Sequence, residues 1–249
     1  MLTKKNRVWA AAALLTVVGG LTSCLKNNND ITPSRQTAKV LVLNVSNNTV
    51  PASFYDNGQK VSQDNATIGF GFLAPYKALG GAHTFELRKQ GGDSVITTSN
   101  TSLDSNLYYT HVIFDKPVKS ITVLNDLKTA DQSKINIRCF NLSPAPAASP
   151  NDKVDFYIGT QKVDSNRAFM SVSELAYSTK FTQFTNFSIN NVVYIKKAGT
   201  DVVLAMNNKL AISTFDVGGV YTIYFGGYPG STGTDKLMVD AIPSFYQSN

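Results

Sequence analysis

Cysteine, histidine and tryptophan are scarce in this chain, which has two, two and one of them among 249 residues. The single tryptophan, Trp9, lies in an N-terminal apolar run, so no indole remains once that run is removed. His83 and His111 lie in strand-like segments, where we predict surface or rim positions for both. A site with two histidines still needs a third metal ligand. We therefore expect no metal and no cofactor.

The N-terminus is organised like an export signal. A basic start precedes an uninterrupted apolar run over residues 8–21, which is shorter than the roughly 20 residues of a membrane-spanning helix. The motif Leu21-Thr22-Ser23-Cys24 resembles the lipobox of bacterial lipoproteins, in which diacylglycerol is attached to the cysteine sulfur and the preceding peptide is removed. This resemblance predicts a lipoprotein signal peptide over residues 1–23, lipidation of Cys24, and contact with the membrane through the lipid. The alternative is an ordinary secretory signal with Cys24 incidental.

Neither sign of charge is concentrated in a run. The chain has 23 Lys and Arg against 17 Asp and Glu, and its formal net charge of +6 falls to about +3 when the basic residues of the signal are removed. Cations scattered along strands are typical of solvated faces, so we expect no nucleic-acid partner. With Cys24 lipidated, Cys139 has no partner for an intrachain disulfide, and we predict that it is a small buried residue.

An internal repeat organises the rest of the chain. The spacing between matched segments drifts along the chain, as expected when insertions accumulate in loops. The matches are Asn44–Ser46 with Asn141–Ser143, Phe54–Val61 with Phe156–Val163, Leu87–Asp93 with Ile195–Asp201, and Leu103–Pro117 with Phe215–Pro229. Two copies of one domain are the simplest explanation.

Each copy reads as a series of strands rich in Val, Ile, Thr, Tyr and Phe and separated by turn residues. In residues 84–88 the apolar and charged residues alternate, which is the period of a half-buried strand. The predicted fold class is all-β, with two tandem immunoglobulin-like antiparallel β-sandwich domains after the signal peptide. A small barrel is the alternative. The predicted boundaries are a flexible tether over 24–37, a first repeat over 38–126, a linker over 127–133 and a second repeat over 134–249.

The segment Arg138-Cys139-Phe140-Asn141-Leu142-Ser143-Pro144-Ala145-Pro146, followed by Val154-Asp155-Phe156-Tyr157-Ile158-Gly159, resembles the opening of the family called domain of unknown function 4397. The strand start Gly218-Gly219-Val220-Tyr221-Thr222 resembles a later part of the same family. The first copy departs from the pattern at Asn47 and Ser53. The resemblance implies an immunoglobulin-like module of the cell envelope, frequently lipid-anchored in Bacteroidetes, and implies no established activity.

Asp155 is the polar residue that the family pattern singles out. A cation or ligand contact is one interpretation; the other, which we favour, is a carboxylate that accepts hydrogen bonds from loop amides near a strand start. Ser53 stands in its place in the first copy, and no second carboxylate has a fixed spacing to it. The glycine-rich residues 226–233 lack the ending of a phosphate-binding loop and are predicted to be an enlarged loop between two strands.

The sequence contains no nucleophile elbow and no zinc-protease motif, so we expect no enzyme. The leading functional prediction is a non-enzymatic, lipid-anchored cell-envelope protein whose two sandwiches present loops to a protein or glycan partner. The alternative is a glycan-capturing accessory lipoprotein of a polysaccharide uptake system, with Tyr224, Tyr228 or Phe187 as the stacking platform. The predicted location is the outer membrane, on either its periplasmic or its external side.

Overall fold

The computed structural model describes residues 36–46, 51–62, 67–171, 178–187, 192–210 and 214–244. The predicted signal peptide, the lipidation site Cys24 and the predicted tether as far as Arg35 lie outside these residues. In the part of the chain that is described, no helix has the length and apolar character needed to cross a membrane.

The described residues form two successive sets of eight strands. The first set is β1 (Thr37–Asn44), β2 (Ala52–Asp56), β3 (Gln59–Lys60), β4 (Phe72–Leu79), β5 (Gly81–Lys89), β6 (Val95–Leu103), β7 (Tyr108–Phe114) and β8 (Lys119–Leu124). A short 3₁₀ helix at Leu127–Thr129 follows. The second set is β9 (Ile135–Asn141), β10 (Val154–Ile158), β11 (Gln161–Arg167), β12 (Thr182–Phe184), β13 (Val193–Lys197), β14 (Val203–Asn207), β15 (Val220–Gly226) and β16 (Met238–Pro243). We call these sets the first and second modules.

Both modules have the same sheet topology. In the first, the sheets have the strand orders β4-β1-β7-β8 and β3-β2-β5-β6; in the second, the orders are β12-β9-β15-β16 and β11-β10-β13-β14. The prediction of an all-β protein with two sandwich modules is confirmed. One ladder in each module differs from the antiparallel expectation, because β1 pairs with β7, and β9 with β15, in parallel. The strands between these partners supply the long crossover that a parallel pair requires.

The repeated sequence segments occupy equivalent strands. Phe54 pairs with Leu87 in the first module, and Phe156 pairs with Ile195 at the matching place in the second. A tyrosine hydroxyl closes the turn before the seventh strand in both modules. It accepts a backbone N–H bond from Asp104 to Tyr109 at 2.9 Å, and from Asp216 to Tyr221 at 3.0 Å. Hydrogen bonds of this kind link a strand to the backbone upstream of it, as in the tyrosine corner of immunoglobulin-like sandwiches.

Each module has its own apolar core between its two sheets. The alternation in residues 84–88 is confirmed, since Phe85 and Leu87 are buried while Glu86 and Arg88 form an ion pair at 2.5 Å on the outer face. Phe54 lies beside Phe85 in the first core, and Phe156 is fully buried in the second. Burial of each such side chain contributes roughly 1.5–3 kcal/mol to stability.

A third apolar cluster joins the two modules. Leu41, Leu43 and Phe114 come from the outer face of the sheet containing β1, and Phe140 and Tyr224 come from the outer face of the sheet containing β9. These two sheets therefore pack against each other, and the described residues form a stack of four sheets. We call this cluster the interface core. It explains why β1 and β9 are buried on both faces.

Arg138 is buried in the interface core, with only 3 % of its surface exposed. All five N–H groups of its guanidinium donate to oxygen atoms. The acceptors are Thr222 Oγ1 at 2.7 Å, Leu124 O and Ser178 O at 3.2 Å, Thr110 Oγ1 at 2.9 Å and Asn125 Oδ1 at 2.6 Å. Burial lowers the pKa of Arg138 to about 9, so the side chain is still charged at neutral pH. Its charge is held by neutral dipoles from both modules and from the segment that joins them.

The connection between the two modules, which includes the end of the predicted first repeat and the predicted linker, also contacts the second module. Asp126 N donates to Thr179 O at 3.2 Å, and Gln183 Nε2 donates to Thr129 O at 2.9 Å. The Asp126 carboxylate caps the 3₁₀ helix by accepting a bond from the Lys128 amide. These contacts attach the connection to the stack of sheets.

Candidate functional site

Both histidines are buried, which corrects the prediction of surface or rim positions. His83 Nδ1 lies 2.8 Å from the Asp56 carboxylate, and its Nε2 lies 2.7 Å from the Leu79 carbonyl oxygen. The Tyr76 hydroxyl donates to the same carboxylate at 2.7 Å, and burial together with this bond raises the pKa of Tyr76. Asp56 thus allows the imidazole to be buried with both nitrogens bonded. Among the described residues, no three His, Cys, Asp or Glu side chains are grouped closely enough to hold a metal ion.

His111 lies in the core of the first module. Its ring centroid is 4.9 Å from that of Phe85 and 5.4 Å from that of Phe54, and its Nδ1 is 3.0 Å from Thr122 Oγ1. Burial lowers the pKa of His111 to about 3. The imidazole is therefore neutral in the folded protein over the range in which an unfolded histidine becomes protonated.

Replacing His111 with isoleucine, the residue found at the matching position Ile223, is expected to make the protein less sensitive to acid. Below the unfolded pKa of about 6.5, the His111 imidazole binds a proton in the unfolded chain but stays neutral in the folded chain. The wild type should lose roughly 1.4 kcal/mol per pH unit more than His111→Ile as the pH falls towards 4. Urea unfolding at several pH values measures this difference. Thr122→Val, which removes the hydrogen bond alone, should keep the wild-type slope, and equal slopes for wild type and His111→Ile would contradict the expectation.

Asp155 has the structural role that the sequence favours. Its buried carboxylate accepts bonds from Lys162 Nζ at 2.7 Å, from the Asn166 amide at 2.8 Å and from the Gly199 amide at 3.3 Å. Burial raises the pKa of Asp155, but these three hydrogen bonds together outweigh burial, and the net effect lowers the pKa. The carboxylate therefore links β11 to the turn that follows β13.

Replacing Asp155 with serine, its counterpart in the first module, is expected to lower the free energy of unfolding by about 1.5–3 kcal/mol at neutral pH. The folded pKa is depressed, so the contribution of the carboxylate is present above its unfolded pKa and is lost as the pH falls through the folded pKa. The gap between wild type and variant should narrow below about pH 4. Chemical unfolding at neutral and acidic pH tests both points. Asp201→Ser is the control, because the Asp201 side chain is fully exposed; an equal loss in both variants would contradict this role.

The aromatic residues proposed for sugar stacking do not form a platform. Tyr224 is 4 % exposed and belongs to the interface core, where burial raises its pKa. Phe187 packs against the second core, with its ring centroid 5.6 Å from that of Phe215. Tyr228 is half-buried in the loop after β15. Cys139 is buried as predicted, and burial raises the pKa of its thiol well above the usual value.

A pocket of about 90 Å³ opens at one end of the second module. Its apolar walls include Phe225, Leu204 and Leu237, and its polar lining includes Ser143. We call it the Ser143 pocket. Two connections surround it: residues 142–153 between β9 and β10, and residues 227–237 between β15 and β16. The corresponding connections of the first module, residues 45–51 and 115–118, are shorter.

The first wall of the pocket begins where Asn141 ends β9. Asn141 Nδ2 donates to Arg167 O at 3.2 Å, and its Oδ1 accepts from the Ser143 amide at 3.2 Å. The same bonds recur in the first module, where Asn44 Nδ2 donates to Ile68 O and Asn44 Oδ1 accepts from Ser46. In the second module, prolines then fix the backbone of the longer connection, because their φ angle is restricted.

The second wall is the predicted enlarged loop. Gly227 has a φ of +89°, and a Cβ at this position would lie 2.1 Å from the Lys236 carbonyl oxygen, so only glycine fits there. Tyr228 N donates to Asp235 O at 2.8 Å, and Ser231 Oγ donates to the Asp235 carboxylate at 2.5 Å. These bonds hold the loop against the pocket.

The rim of the pocket carries more positive than negative charge. Lys197 Nζ donates to Asp152 Oδ2 at 2.8 Å. The exposed ammonium of Lys153 has no side-chain partner among the residues that the structure describes. Inside the pocket, Ser143 is 2 % exposed and its hydroxyl has no hydrogen-bond partner within the same described part of the chain. The sequence pointed separately to the segment that contains Ser143 and to the loop after β15. The available signal for a site was that both connections are longer in the second copy than in the first.

In the described residues, the fold is all-β, with two eight-stranded sandwiches and a small pocket at one loop end. Residues 38–148 match the family described as Domain of unknown function (DUF4397), so the predicted relation to this domain type is confirmed for that segment. The match covers the first module and extends into the second as far as the Ser143 wall. No curated protein matches the chain. A streptococcal structure titled "Alpha-glucan binding by a streptococcal virulence factor" is 6 % identical and covers 75 % of this chain and 92 % of its own, with a TM-score of 0.26.

Proposed function

We propose that this protein is a non-enzymatic, lipid-anchored binding protein of the cell envelope, and that it contacts its partner through the loop end of the second module. One observation carries the proposal: the two connections that are longer in the second module than in the first converge on the Ser143 pocket. Functional sites are commonly formed by long loops on a rigid scaffold. Here the scaffold is the stack of four sheets.

The direction of the strands supports this arrangement. The predicted tether leads into β1 at Thr37, and β1 ends near Val45. A Cβ built on Gly226 would lie 3.3 Å from the Cβ of Val45, so the far end of β1 is next to the start of the pocket loop. A strand of this length spans about 26 Å. The chain therefore enters the stack at the start of β1, and the Ser143 pocket lies at the other end of this strand.

Membrane attachment through Cys24 predicts a simple result. The full-length protein should stay in the membrane fraction after a high-salt wash, because several acyl chains at about 0.8 kcal/mol per buried methylene anchor it stably. Cys24→Ala should abolish incorporation of labelled fatty acid and leave the precursor unprocessed. Incorporation of label into Cys24→Ala would contradict lipidation at this cysteine. Protease shaving of intact cells distinguishes a periplasmic from an external location.

The binding function is tested with the soluble mature protein lacking Cys24. Ala145 lines the pocket and is partly exposed, so Ala145→Phe should block the pocket and leave the cores intact. Ala148→Phe is the matched control, since Ala148 is exposed and lies in the same connection outside the pocket. Arrays of peptides and glycans should show saturable binding that Ala145→Phe loses and Ala148→Phe retains. Binding that Ala145→Phe does not alter, or no binding by the wild type, would overturn the proposal.

One observation favours glycan capture as a second candidate. On the outer face of the second module, Tyr157 pairs with Tyr194, and Tyr194 pairs with Met206, which is 59 % exposed. The ammonium groups of Lys162 and Lys196 lie 5.4 and 4.8 Å from the centroid of the Tyr157 ring. Half-buried aromatic rings in a row can stack against sugars. Glycan binding that Tyr194→Ala loses and Ala145→Phe retains would favour this second candidate over the first.

A further inference from the structure

We infer that the Ser143 pocket receives the carboxyl-terminal residue of a partner polypeptide, with its aliphatic side chain in the pocket and its free carboxylate against Lys153. This inference rests on the proposed binding function and names the chemistry of the ligand. It is carried by the size and lining of the pocket, by the unpartnered hydroxyl inside it and by the charge at its rim.

The size and lining favour a single aliphatic group. At about 90 Å³ the pocket is well below the roughly 300–1,000 Å³ of sites that enclose a whole small molecule. Phe225, Val154, Leu204 and Leu237 give it apolar walls, which gain free energy by excluding water from an apolar side chain. Prolines at positions 144, 146 and 229 restrict the backbone of both walls, so the pocket exists before the ligand binds.

The Ser143 hydroxyl indicates a polar group next to that side chain. A buried hydroxyl without a partner costs about 1–3 kcal/mol, so its retention inside a pocket favours a partner supplied by a ligand. In the first module the equivalent Ser46 hydroxyl donates to Asn44 Oδ1 at 2.7 Å. In the second module, the Ser143 hydroxyl makes no such bond to Asn141 or to any other residue that the structure describes. A serine hydroxyl can accept a bond from a peptide N–H or donate one to a carboxylate, and the last residue of a polypeptide offers both.

The charge at the rim indicates an anionic ligand. Two lysines, Lys153 and Lys197, and one acidic residue, Asp152, line the pocket. The Asp152 carboxylate is already bonded to Lys197. The Lys153 ammonium is therefore available for a charge-assisted bond to a carboxylate. A smaller pocket of about 50 Å³ in the first module provides a contrast, because the Ser62 hydroxyl that lines it already accepts a bond from the Phe54 amide.

The ligand chemistry is tested by fluorescence polarisation with two labelled peptides, Gly-Gly-Ser-Gly-Leu with a free carboxylate and the same peptide with a carboxyl-terminal amide. The free acid should bind the mature protein saturably, and the amide should bind about tenfold more weakly, equivalent to about 1.4 kcal/mol. A peptide ending in glycine should also bind more weakly, because it leaves the pocket empty. Lys153→Met should weaken binding of the acid about fivefold and should leave binding of the amide unchanged.

Ser143→Ala separates a ligand-binding role from a structural one. Binding of the acid peptide should fall about fivefold, while the melting temperature stays the same or rises, since no internal hydrogen bond is lost. The matched control Ser46→Ala should lower the melting temperature and leave peptide binding unchanged. A lower melting temperature for Ser143→Ala with unchanged binding would assign the hydroxyl to the fold and overturn the inference.

The outcomes also separate this inference from the proposed function. Equal binding of acid and amide, or no peptide binding while Ala145→Phe still abolishes binding on the arrays, overturns the carboxylate ligand and leaves the proposed function intact. Array binding that Ala145→Phe does not change overturns both. Acid-selective binding that Ala145→Phe loses and Ala148→Phe keeps supports both.

Discussion

Arg138→Met is expected to lower the free energy of unfolding by about 3–5 kcal/mol, among the largest effects of any single change in this protein. Thr110 and Thr222 are fully buried, and Asn125 and Ser178 nearly so. Removal of the guanidinium deprives these groups of donors, and a buried acceptor without a partner costs about 1–3 kcal/mol. Methionine carries no charge, so the variant avoids the cost of burying the guanidinium cation, and this offsets part of the loss. The net effect is destabilising because the guanidinium bonds five oxygen atoms, of which the Asn125 and Thr222 side-chain oxygens each keep one other bond, to Thr110 and to Ser244.

Arg138→Lys tests whether the number of donors or the charge matters. Lysine keeps the charge but has three donors in place of five and no planar fork, so we expect a loss of about 2 kcal/mol. Arg88→Met is the control, because Arg88 pairs with Glu86 on an outer face, where ion pairs contribute about 0–1 kcal/mol. Urea unfolding followed by circular dichroism measures all three variants. Wild-type stability of Arg138→Met would show that the interface does not depend on this network.

Phe85→Ala is expected to cost about 3–5 kcal/mol, as is typical of large-to-small substitutions in a core. Phe85 is fully buried, and its ring centroid lies 5.2 Å from that of Phe54, 5.6 Å from that of His83 and 6.4 Å from that of Tyr76. The substitution removes one side of each of these contacts and leaves a cavity that backbone strands cannot collapse into.

The measurement for Phe85→Ala is the unfolding transition, which tyrosine fluorescence can report in the mature protein because the single tryptophan lies in the predicted signal peptide. Phe85→Leu should cost less, since it keeps most of the buried volume. Val217→Ala is the control at an exposed position, and its effect should stay within about 0.5 kcal/mol. The interface core couples the modules, so the midpoint of one shared transition should shift. Separate transitions, with only the first shifted, would contradict that coupling.

Much of the fold could be predicted from local patterns. The alternation of Phe85 and Leu87 with Glu86 and Arg88 follows from the period of a strand and needs no knowledge of distant residues. The matched segments around Phe54 and Phe156 identified the duplication, because both residues fill the same place in equivalent cores. These features depend on short stretches of sequence that carry their own signal.

What escaped prediction depends on contacts between distant segments. His83 is buried because Asp56, which also accepts a bond from Tyr76, pairs with its ring, and nothing in the sequence next to His83 indicates that partner. Tyr224 points away from its own core, a position that the period of a strand assigns to solvent, and the other module covers it. The near-continuous apolar residues of β1 were the available signal, since strands buried on both faces lose their alternation.

The Ser143 pocket was missed for a related reason. The Asn-x-Ser-Pro segment and the glycine-rich loop lie more than 80 residues apart, and each reads as an ordinary connection when taken alone. Only the parallel pairing of β9 with β15 brings the ends of these strands, and hence their loops, to the same edge of the sheet. The register of that pair places Asn141 opposite Phe225, which sets the two walls of the pocket side by side.

The covered faces of the two central sheets constrain how this gene can change. Each module covers an apolar sheet face of the other. The residues on these faces are 3 % exposed or less, and they include Leu43, Val112 and Phe114 in the first module and Phe140 and Ile242 in the second. Deletion of either copy by recombination between the repeats would expose this apolar sheet face to solvent and promote aggregation. The two modules therefore depend on each other to keep the interface core buried.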